Sequence, residues 1–380
     1  MGKVLFIRQE DYSQEGIDSA ILRAFEHFGG VRNFVSKGDR VLLKVNLVSG
    51  HDPERRVSTD PAIVRSVAKI VIEAGGTPFI ADSPGIDSFR GAAEKAGFMN
   101  IARELGIECR ELTDPADLPP NDSAEYRHIQ VSRYVLEADK VINLAKLKTH
   151  GQMYLTMGVK NLFGCVPGRL KAGWHYNVGL NREKFASLLL DIYLGIKPAF
   201  TILDGVIGMD GDGPTSGDPY NFGIIGACID ALTMDFTLCK MLGGNLEDYP
   251  LYMAAKARNI PQCELNPSDI EGDISPEHVF PGVKIPKTRS MRLFPRIPFL
   301  DRLMTSKPVH IPEKCIGCGR CAEICPADAL RHDNKRLYFD YGKCIRCYCC
   351  HEMCPVKAIK FRESFLLRMI NMFTTGTRQP

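Results

Sequence analysis

The stretch CIGCGRCAEICP at residues 315–326 recurs as CIRCYCCHEMCP at residues 344–355. Moving Cys315 onto Cys344 superimposes four cysteines and the proline that follows the last of them. An isoleucine, a glutamate and an alanine also fall into register. This internal repeat indicates a duplicated half-domain, and it predicts a small α+β domain over residues 310–360.

The spacing of these cysteines is typical of ferredoxin-like domains that bind two [4Fe–4S] clusters. Three cysteines, each two residues after the last, wrap around one cluster, and the fourth, before proline, reaches the other cluster. The predicted ligands are Cys315, Cys318, Cys321 and Cys354 for cluster I, and Cys344, Cys347, Cys350 and Cys325 for cluster II. A pair of structural zinc sites is the alternative, but zinc requires neither the third cysteine nor the repeated Cys-Pro. We therefore expect a protein that transfers electrons one at a time.

The remaining cysteines carry weaker signals. Cys349 lies beside Cys350 but breaks the repeated spacing, so it is interpreted as a bystander. The cysteines scattered through the first 280 residues are predicted to be buried thiols. Cys165 is the exception that we keep as a candidate, because its segment is rich in other candidate site residues.

Composition and the start of the chain limit the class of protein. Fourteen cysteines without a charged-then-apolar leader predict a reducing cytoplasm, metal ligation and no signal peptide. No stretch approaches about 18 uninterrupted apolar residues, so no transmembrane segment is expected. The net charge of +3 is too small to indicate nucleic acid, and the basic run from Lys284 to Lys307 carries no RNA or DNA motif.

The first 283 residues alternate between strand-like and helix-like segments. The apolar run Val41–Val48 predicts a strand, and Thr59–Ala74 has helical spacing, with Asp60 and Pro61 as its cap and first turn. Further predicted elements are the strands Lys140–Leu144 and Phe200–Leu203 and a helix from about Asn181 to Ile196. Such alternation predicts an α/β domain at residues 1–283, with a mostly parallel, doubly wound sheet and helices on both faces.

Two segments flank the cysteine domain. Repeated prolines predict a Pro-rich basic linker at residues 284–309. The segment at residues 361–380 has interspersed arginines and contains an apolar stretch from Phe365 to Phe373, which predicts an amphipathic tail. Two interpretations of the tail are open: it docks on its own protein, or it makes a peripheral contact with a membrane surface.

Polar side chains interrupt or follow the predicted strands of the α/β domain, at the edge where open parallel sheets bind ligands. The candidate catalytic residues are Lys44, Lys148, His150 and Asp204. The candidate cofactor-binding residues are Lys146, Lys160, Asn161, Asp82, Asp210 and Asp212. Lysines there suit an anionic small molecule, and the aspartates suit a divalent ion or a general base. The alternative is a salt-bridged network without a ligand.

These segments also resemble a known family. The motifs are KLKTH at 146–150, GVKNLFG at 158–164 with VPG at 166–168, and DGVIGMDGDGPTSG at 204–217. Together with KVN at 44–46 and DSP at 82–84, they resemble the domain of unknown function 362 family over roughly residues 3 to 245. Members often carry a bacterial-type ferredoxin module at the C-terminus. The resemblance implies an iron–sulfur protein of bacteria or archaea and does not imply a reaction.

Two functions fit this organisation. In the first, an oxidoreductase takes electrons from a redox partner, either a ferredoxin or an oxidoreductase complex, and delivers them to a substrate or cofactor in the α/β domain. In the second, the chain is a non-enzymatic electron-transfer subunit whose α/β domain binds a partner complex. Fusion raises the effective concentration of the electron carrier in either case. No flavin or nicotinamide fingerprint indicates a particular organic cofactor.

Overall fold

A computed structural model describes residues 3–85, 87–178, 181–286 and 306–362, except for the side chain of Arg169. Most of the predicted linker and nearly all of the predicted tail lie outside these residues. None of the helices within the described ranges is long and apolar enough to cross a membrane.

The α/β domain is built on a mixed sheet that has nine strands in the described residues. The strands of this domain are β1 (Val4–Arg8), β2 (Arg40–Lys44), β3 (Thr77–Asp82), β4 (Glu108–Glu111), β5 (Pro115–Asp117), β6 (Gln130–Ser132), β7 (Lys140–His150), β8 (Tyr154–Thr156), β9 (Phe200–Asp210), β10 (Asp218–Cys228) and β11 (Ile270–Gly272). Their order in the sheet is β11-β1-β10-β9-β7-β2-β3-β4, with β8 paired to β7, while β5 and β6 pair separately. The run β9-β7-β2-β3-β4 is parallel and β10 is antiparallel to both neighbours, so the predicted mostly parallel sheet is confirmed.

Some helices of the α/β domain begin at a residue whose side chain caps them. The helices of this domain are α1 (Gln14–His27), α2 (Pro61–Glu73), α3 (Phe89–Lys95), α4 (Phe98–Leu105), α5 (Arg133–Leu136), α6 (Gly158–Asn161), α7 (Gly168–Val178), α8 (Arg182–Ile196), α9 (Ala231–Met241) and α10 (Pro250–Ala257). The Asp60 side chain accepts a hydrogen bond from the Ala62 amide, and Pro61 opens α2, as its sequence predicts. Asn181 caps α8 in the same way.

Apolar side chains on the two faces of the sheet enter two separate cores. Leu42 of β2 packs in the core that contains α8, α9 and α10. Its neighbours Val41 and Leu43 pack in the other core, with α1, α2 and α4. Because successive strand residues point to opposite faces, both faces of the sheet are buried under helices.

Strands β7 and β9 continue well beyond their predicted ends. The sequence predicts that β7 stops near Leu144, whereas the strand runs to His150 because its last residues pair with β8 and β9. The pairing with β9 is irregular between Lys146, which lies opposite Asp204, and Lys148, which lies opposite Met209. Several candidate site residues therefore lie within strands instead of after them, and the irregularity gives the two lysines different surroundings.

The C-terminal domain repeats one unit twice. Its elements are β12 (Lys307–His310), α11 (Arg320–Glu323), β13 (Leu330–Asp333), β14 (Arg336–Phe339), α12 (Cys349–Glu352) and β15 (Ile359–Arg362). Strands β12 and β15 pair antiparallel, as do β13 and β14, and each short helix contains the third cysteine of its run. The domain packs on the α/β domain through an ion pair of Arg320 with Asp87 (2.9 Å) and a hydrogen bond from the Thr215 hydroxyl to the Glu352 carbonyl.

Candidate functional site

The first predicted cluster site is a small cavity in the C-terminal domain. Its lining includes three cysteines of the first run and the last cysteine of the second run, namely Cys315, Cys318, Cys321 and Cys354. The Ala358 amide donates a hydrogen bond to the Cys354 sulfur (3.1 Å). Four convergent sulfurs with amide donors fit a [4Fe–4S] cluster.

The second set of cysteines is also gathered together. Burial, followed by the nearby Cys347 and Cys344, raises the pKa of the Cys350 thiol, and Cys325 from the first run contributes in the same direction. The Ala329 amide donates to the Cys325 sulfur (3.3 Å), at the position equivalent to the Ala358 bond. The donor set therefore fits a second cluster with one ligand exchanged between the repeats.

Between the two domains lies a cavity whose empty space, together with the solvent at its mouth, is about 860 Å³. The α/β domain contributes the lysines Lys148, Lys160 and Lys171, together with Asp82, Asn161, Phe163 and His175. The C-terminal domain contributes Ile324, Cys349, Glu352 and Met353. Each of these four lies within two residues of a predicted cluster ligand. We call this space the interdomain cavity.

Lys148 enters the cavity wall as part of a buried hydrogen-bonded chain. Its ammonium donates to Asn46 Oδ1 (2.8 Å) and to the Val57 carbonyl (2.8 Å). Asn46 in turn donates to Asn161 Oδ1 (3.0 Å). Burial, and then the charges of Lys160 and Lys146, lower the pKa of Lys148 to about 7. Lys148 is therefore held by neutral oxygens alone.

Lys160 differs because its ammonium has no hydrogen bond or ion pair with any described residue. Burial lowers its pKa, and the nearby Glu352 carboxylate acts in the opposite direction. An ammonium group of this kind at a cavity wall is open to an anion.

A second lysine pair lies at another part of the cavity, where Lys171 belongs to the wall and Lys44 is buried outside the lining. Lys44 is fully buried and forms an ion pair with Asp82 (3.0 Å). The Lys171 ammonium donates to the Ser83 carbonyl, and burial lowers its pKa to about 8 although Asp82 opposes the shift. Gly164 permits this packing, since a Cβ there would collide with the Asp82 carboxylate and the Lys44 ammonium.

Two neutral histidines lie near the cavity: His175 belongs to its lining, whereas His150 is buried outside the lining beside Glu352. The Nδ1 of His150 accepts from the amides of Gln152 and Met153 (3.1 Å each), so its Nε2 carries the proton and lies 3.2 Å from Glu352 Oε1. Burial, and then Lys160, lower the pKa of His150 far below its usual range, so the contact joins a neutral imidazole to a carboxyl group. Burial likewise lowers the pKa of His175 to about 3, and its buried Nδ1 has no hydrogen-bond partner.

Lys146 and Asp204 form a separate network away from the cavity. The Lys146 ammonium contacts Asp204 Oδ2 (2.7 Å) and the Tyr12 hydroxyl (2.9 Å). Asp204 also accepts from Tyr12 (2.7 Å) and from the Asp60 amide (2.9 Å). These hydrogen bonds occupy both carboxylate oxygens of Asp204. Neither Lys146 nor Asp204 lines the interdomain cavity, so the structure does not bring this pair together with Lys148 and Lys160.

Asp210 and Asp212 do not line the interdomain cavity either. Asp210 accepts a hydrogen bond from the Lys284 amide (3.0 Å), and Asp212 lies near His351 of the C-terminal domain. In the described part of the chain, no three His, Cys, Asp or Glu side chains are close enough together to hold a single metal ion. A four-iron cluster is wider than one ion, so its cysteines stand further apart.

Residues 41–240 match the family described as a domain of unknown function, DUF362. The chain belongs to the DUF362 family. Residues 308–331 and 337–360 each match the 4Fe-4S binding domain, so the C-terminal domain of this DUF362 protein binds [4Fe–4S] clusters. Both expectations from the sequence are confirmed.

One relative and two solved structures are similar to the chain. A thylakoid-associated protein of Synechocystis sp. is 40% identical over 268 residues, which cover 70% of this chain and 81% of the relative. A Thermotoga maritima protein is 13% identical (TM-score 0.38), covering 67% of this chain and 60% of that one. The lactate racemase apoprotein of Thermoanaerobacterium thermosaccharolyticum is 12% identical (TM-score 0.36), covering 60% and 54%. The chain thus spans less than two thirds of either solved protein. The cytoplasmic location expected from the sequence stays a prediction.

Sequence reasoning missed several residues of the cavity wall, among them Lys171, His175, Cys349 and Glu352. Lys171 and His175 lie on α7, which follows the VPG motif and has no strand-end signal. Glu352 is visible in the sequence only as the repeat partner of Glu323. Cys349, interpreted as a bystander, lines the cavity, whereas Cys165 is buried outside its lining and burial raises the pKa of its thiol to about 12. Among the other scattered cysteines, Cys228 and Cys239 are buried as expected, while Cys109 and Cys263 are partly exposed.

Proposed function

We propose that this DUF362 protein is an iron–sulfur oxidoreductase that exchanges electrons with an anionic small molecule bound in the interdomain cavity. The proposed ligands are Cys315, Cys318, Cys321 and Cys354 for cluster I, and Cys344, Cys347, Cys350 and Cys325 for cluster II. When bound, each cluster supplies or accepts one electron at a time. A ferredoxin or an oxidoreductase complex would serve as the external redox partner.

One observation carries the proposal: the cavity wall includes residues directly beside cluster ligands from both repeats. Ile324 precedes Cys325, and Met353 precedes Cys354. A molecule in this cavity therefore touches the loops that hold both clusters and the lysines of the sheet. That arrangement favours electron exchange with a bound ligand over an α/β domain that serves only to bind a partner.

The chain's own residues supply binding and proton handling. Lys148, Lys160 and Lys171 provide positive charge for an anion, and Phe163 and Met353 exclude water from its apolar part. His150 Nε2 lies 3.2 Å from Glu352 Oε1 without forming a hydrogen bond to a described residue. Because Glu352 lines the cavity and His150 does not, the Glu352 carboxyl group is our candidate for passing a proton to or from the ligand.

Anaerobic purification of the full chain tests both halves of the proposal. We expect about eight iron and about eight acid-labile sulfides per chain, together with a small anion detected by native mass spectrometry. Lys160→Met should lose the anion and keep the iron, while Lys240→Met, at an exposed position of α9, should keep both. Full iron with no bound molecule in any preparation would instead support the electron-transfer subunit.

A second experiment tests the ligand assignment of cluster II. Cys350→Ser should lower the iron content by about half, because only Cys350 preserves the repeated spacing. Cys349→Ser should leave the iron content unchanged. The opposite pattern would show that the assigned register is wrong.

A further inference from the structure

The charged groups of the interdomain cavity fall into two sets. The sheet-side group consists of Asp82 and Lys171, which line the cavity, and of Lys44, which is buried outside the lining and forms an ion pair with Asp82 (3.0 Å). Lys148, Lys160 and Glu352 form the ferredoxin-side group, in which Glu352 reaches in from the C-terminal domain. Among the described residues, the cavity wall contains no carboxylate besides Asp82 and Glu352, so the second lysine of each set has no carboxylate of its own.

Each group contains two ammonium groups and at most one carboxylate. In the sheet-side group, Asp82 forms its ion pair with Lys44, while the Lys171 ammonium donates to a neutral carbonyl. Asp82 and Glu111 lie near enough to favour the charged form of Lys171 but form no ion pair with it. In the ferredoxin-side group, Lys148 donates only to neutral oxygens and Lys160 has no described partner. At least one positive charge is therefore uncompensated in each group.

The wall between the two groups is largely uncharged. His175 feels the charges of both Lys160 and Lys171, and it packs edge-on against Phe163, with ring centroids 5.7 Å apart. Its buried Nδ1 lacks a hydrogen-bond partner. The cavity leaves about 120 Å³ for the centres of water-sized groups, which is more than a single inorganic ion requires.

We propose that the cavity binds a small organic dianion, with one anionic group beside Lys171 and the other beside Lys160. Dicarboxylates and carboxylates that also carry a phosphoryl group belong to this class. The middle of the ligand packs on Phe163 and offers His175 Nδ1 a polar group. Buried charges require partners, and two anionic groups would neutralise both sets at once.

This inference rests on the proposed function in one respect, namely that the cavity is the site of electron exchange. Clusters with cysteinate ligands bring negative charge of their own to the ferredoxin side. If that charge alone compensated Lys160, a second anionic group on the ligand would add no affinity. The experiment therefore compares one anionic group with two.

The test is calorimetric titration of the anaerobically purified full chain. The probes are succinate, glutarate and adipate, the monocarboxylates butyrate, valerate and hexanoate of matched length, and 3-phosphonopropionate. We expect at least one dianion to bind roughly tenfold to hundredfold more tightly than its matched monocarboxylate. Lys171→Met and Lys160→Met should each remove that advantage, and Lys240→Met should retain it.

Equal binding of dianions and monoanions, or no binding of any probe, would overturn the inference. So would a dianion preference that survives in both lysine variants. The electron paramagnetic resonance signal of the reduced protein tests the proposed function separately. A tightly bound dianion that leaves this signal unchanged and undergoes no reduction would contradict electron exchange while preserving the dianion site.

Discussion

Lys146 and Lys148 lie two residues apart on the same strand, yet they belong to very different surroundings. Lys146 is closed into a network with Asp204 and Tyr12, in which the ammonium has a carboxylate at 2.7 Å. Lys148 contacts neutral oxygens and shares the interdomain cavity with Lys160, which has no described partner. The charge of Lys146 is neutralised by a carboxylate of the same chain. The positive charge of the cavity lysines remains available to a bound anion.

This difference separates a structural role from a binding role for buried lysines. A buried ion pair whose members are hydrogen-bonded is costly to break, because removing one partner leaves the other charged and unpaired. An uncompensated buried ammonium costs stability in the free protein and regains it when an anion binds. Substitutions in the Lys146 network should therefore lower the stability of the protein, whereas substitutions of the cavity lysines should mainly weaken anion binding.

The largest expected effect is on stability and follows from Lys146→Met. This change leaves Asp204 buried without its counterion and should lower the free energy of unfolding by about 3–5 kcal/mol. Denaturant unfolding followed by circular dichroism measures it. Lys160→Met is the matched control, since it removes an unpaired charge and should cost less than about 1 kcal/mol. Equal losses in the two variants would contradict the distinction between the regions.

Gly164→Ala should have the next largest effect. The new methyl group would collide with the Asp82 carboxylate and Lys44 ammonium, which should cost about 1–3 kcal/mol and weaken retention of the cavity ligand. Gly173→Ala is the control, because a Cβ at that exposed position of α7 meets no atom within 4 Å. A helix-interior glycine replaced by alanine should stabilise the protein slightly. A stable, ligand-retaining Gly164→Ala variant would show that the packing around Asp82 is looser than described.

A smaller effect concerns pH and Lys148. Its folded pKa of about 7 lies below the usual 10.5, so between these values the unfolded chain holds a proton that the folded chain has released. The stability contribution of this group therefore rises with pH across that window, and its penalty is greatest below pH 7. Dianion affinity should run the other way, falling above pH 7 by at most about tenfold per pH unit. Titrations at several pH values measure this slope. Lys148→Met should remove the part that begins near pH 7 and leave the part that begins near pH 8, where Lys171 loses its charge. An unchanged slope near pH 7 would exclude Lys148 as its source.

The smallest expected effect is that of Tyr12→Phe. The variant loses the hydroxyl that donates to Asp204 and accepts from Lys146, and it keeps the ion pair. It should cost about 0.5–1.5 kcal/mol of unfolding free energy and leave dianion binding unchanged. Thermal denaturation and calorimetric titration provide the two measurements. A loss of dianion binding would mean that the two regions are coupled.

Much of the fold was determined by the sequence, because the deciding signals are local. The cap and first turn of α2 at Asp60 and Pro61 and the two cysteine runs act within about a dozen residues. The crossed cluster ligands follow from the repeat itself. Spacing along the chain is sufficient to predict an interaction wherever the interacting groups are close in sequence.

The candidate site was decided largely by the tertiary structure. The sequence predicts lysines at one sheet edge but does not separate Lys146 from Lys148, because the register irregularity between β7 and β9 arises from pairing of distant strands. Glu352 and Lys171 enter the cavity wall through docking of the C-terminal domain and of α7. Charge balance depends on distances between groups far apart in the chain, so only the folded structure distinguishes a compensated lysine from an open one.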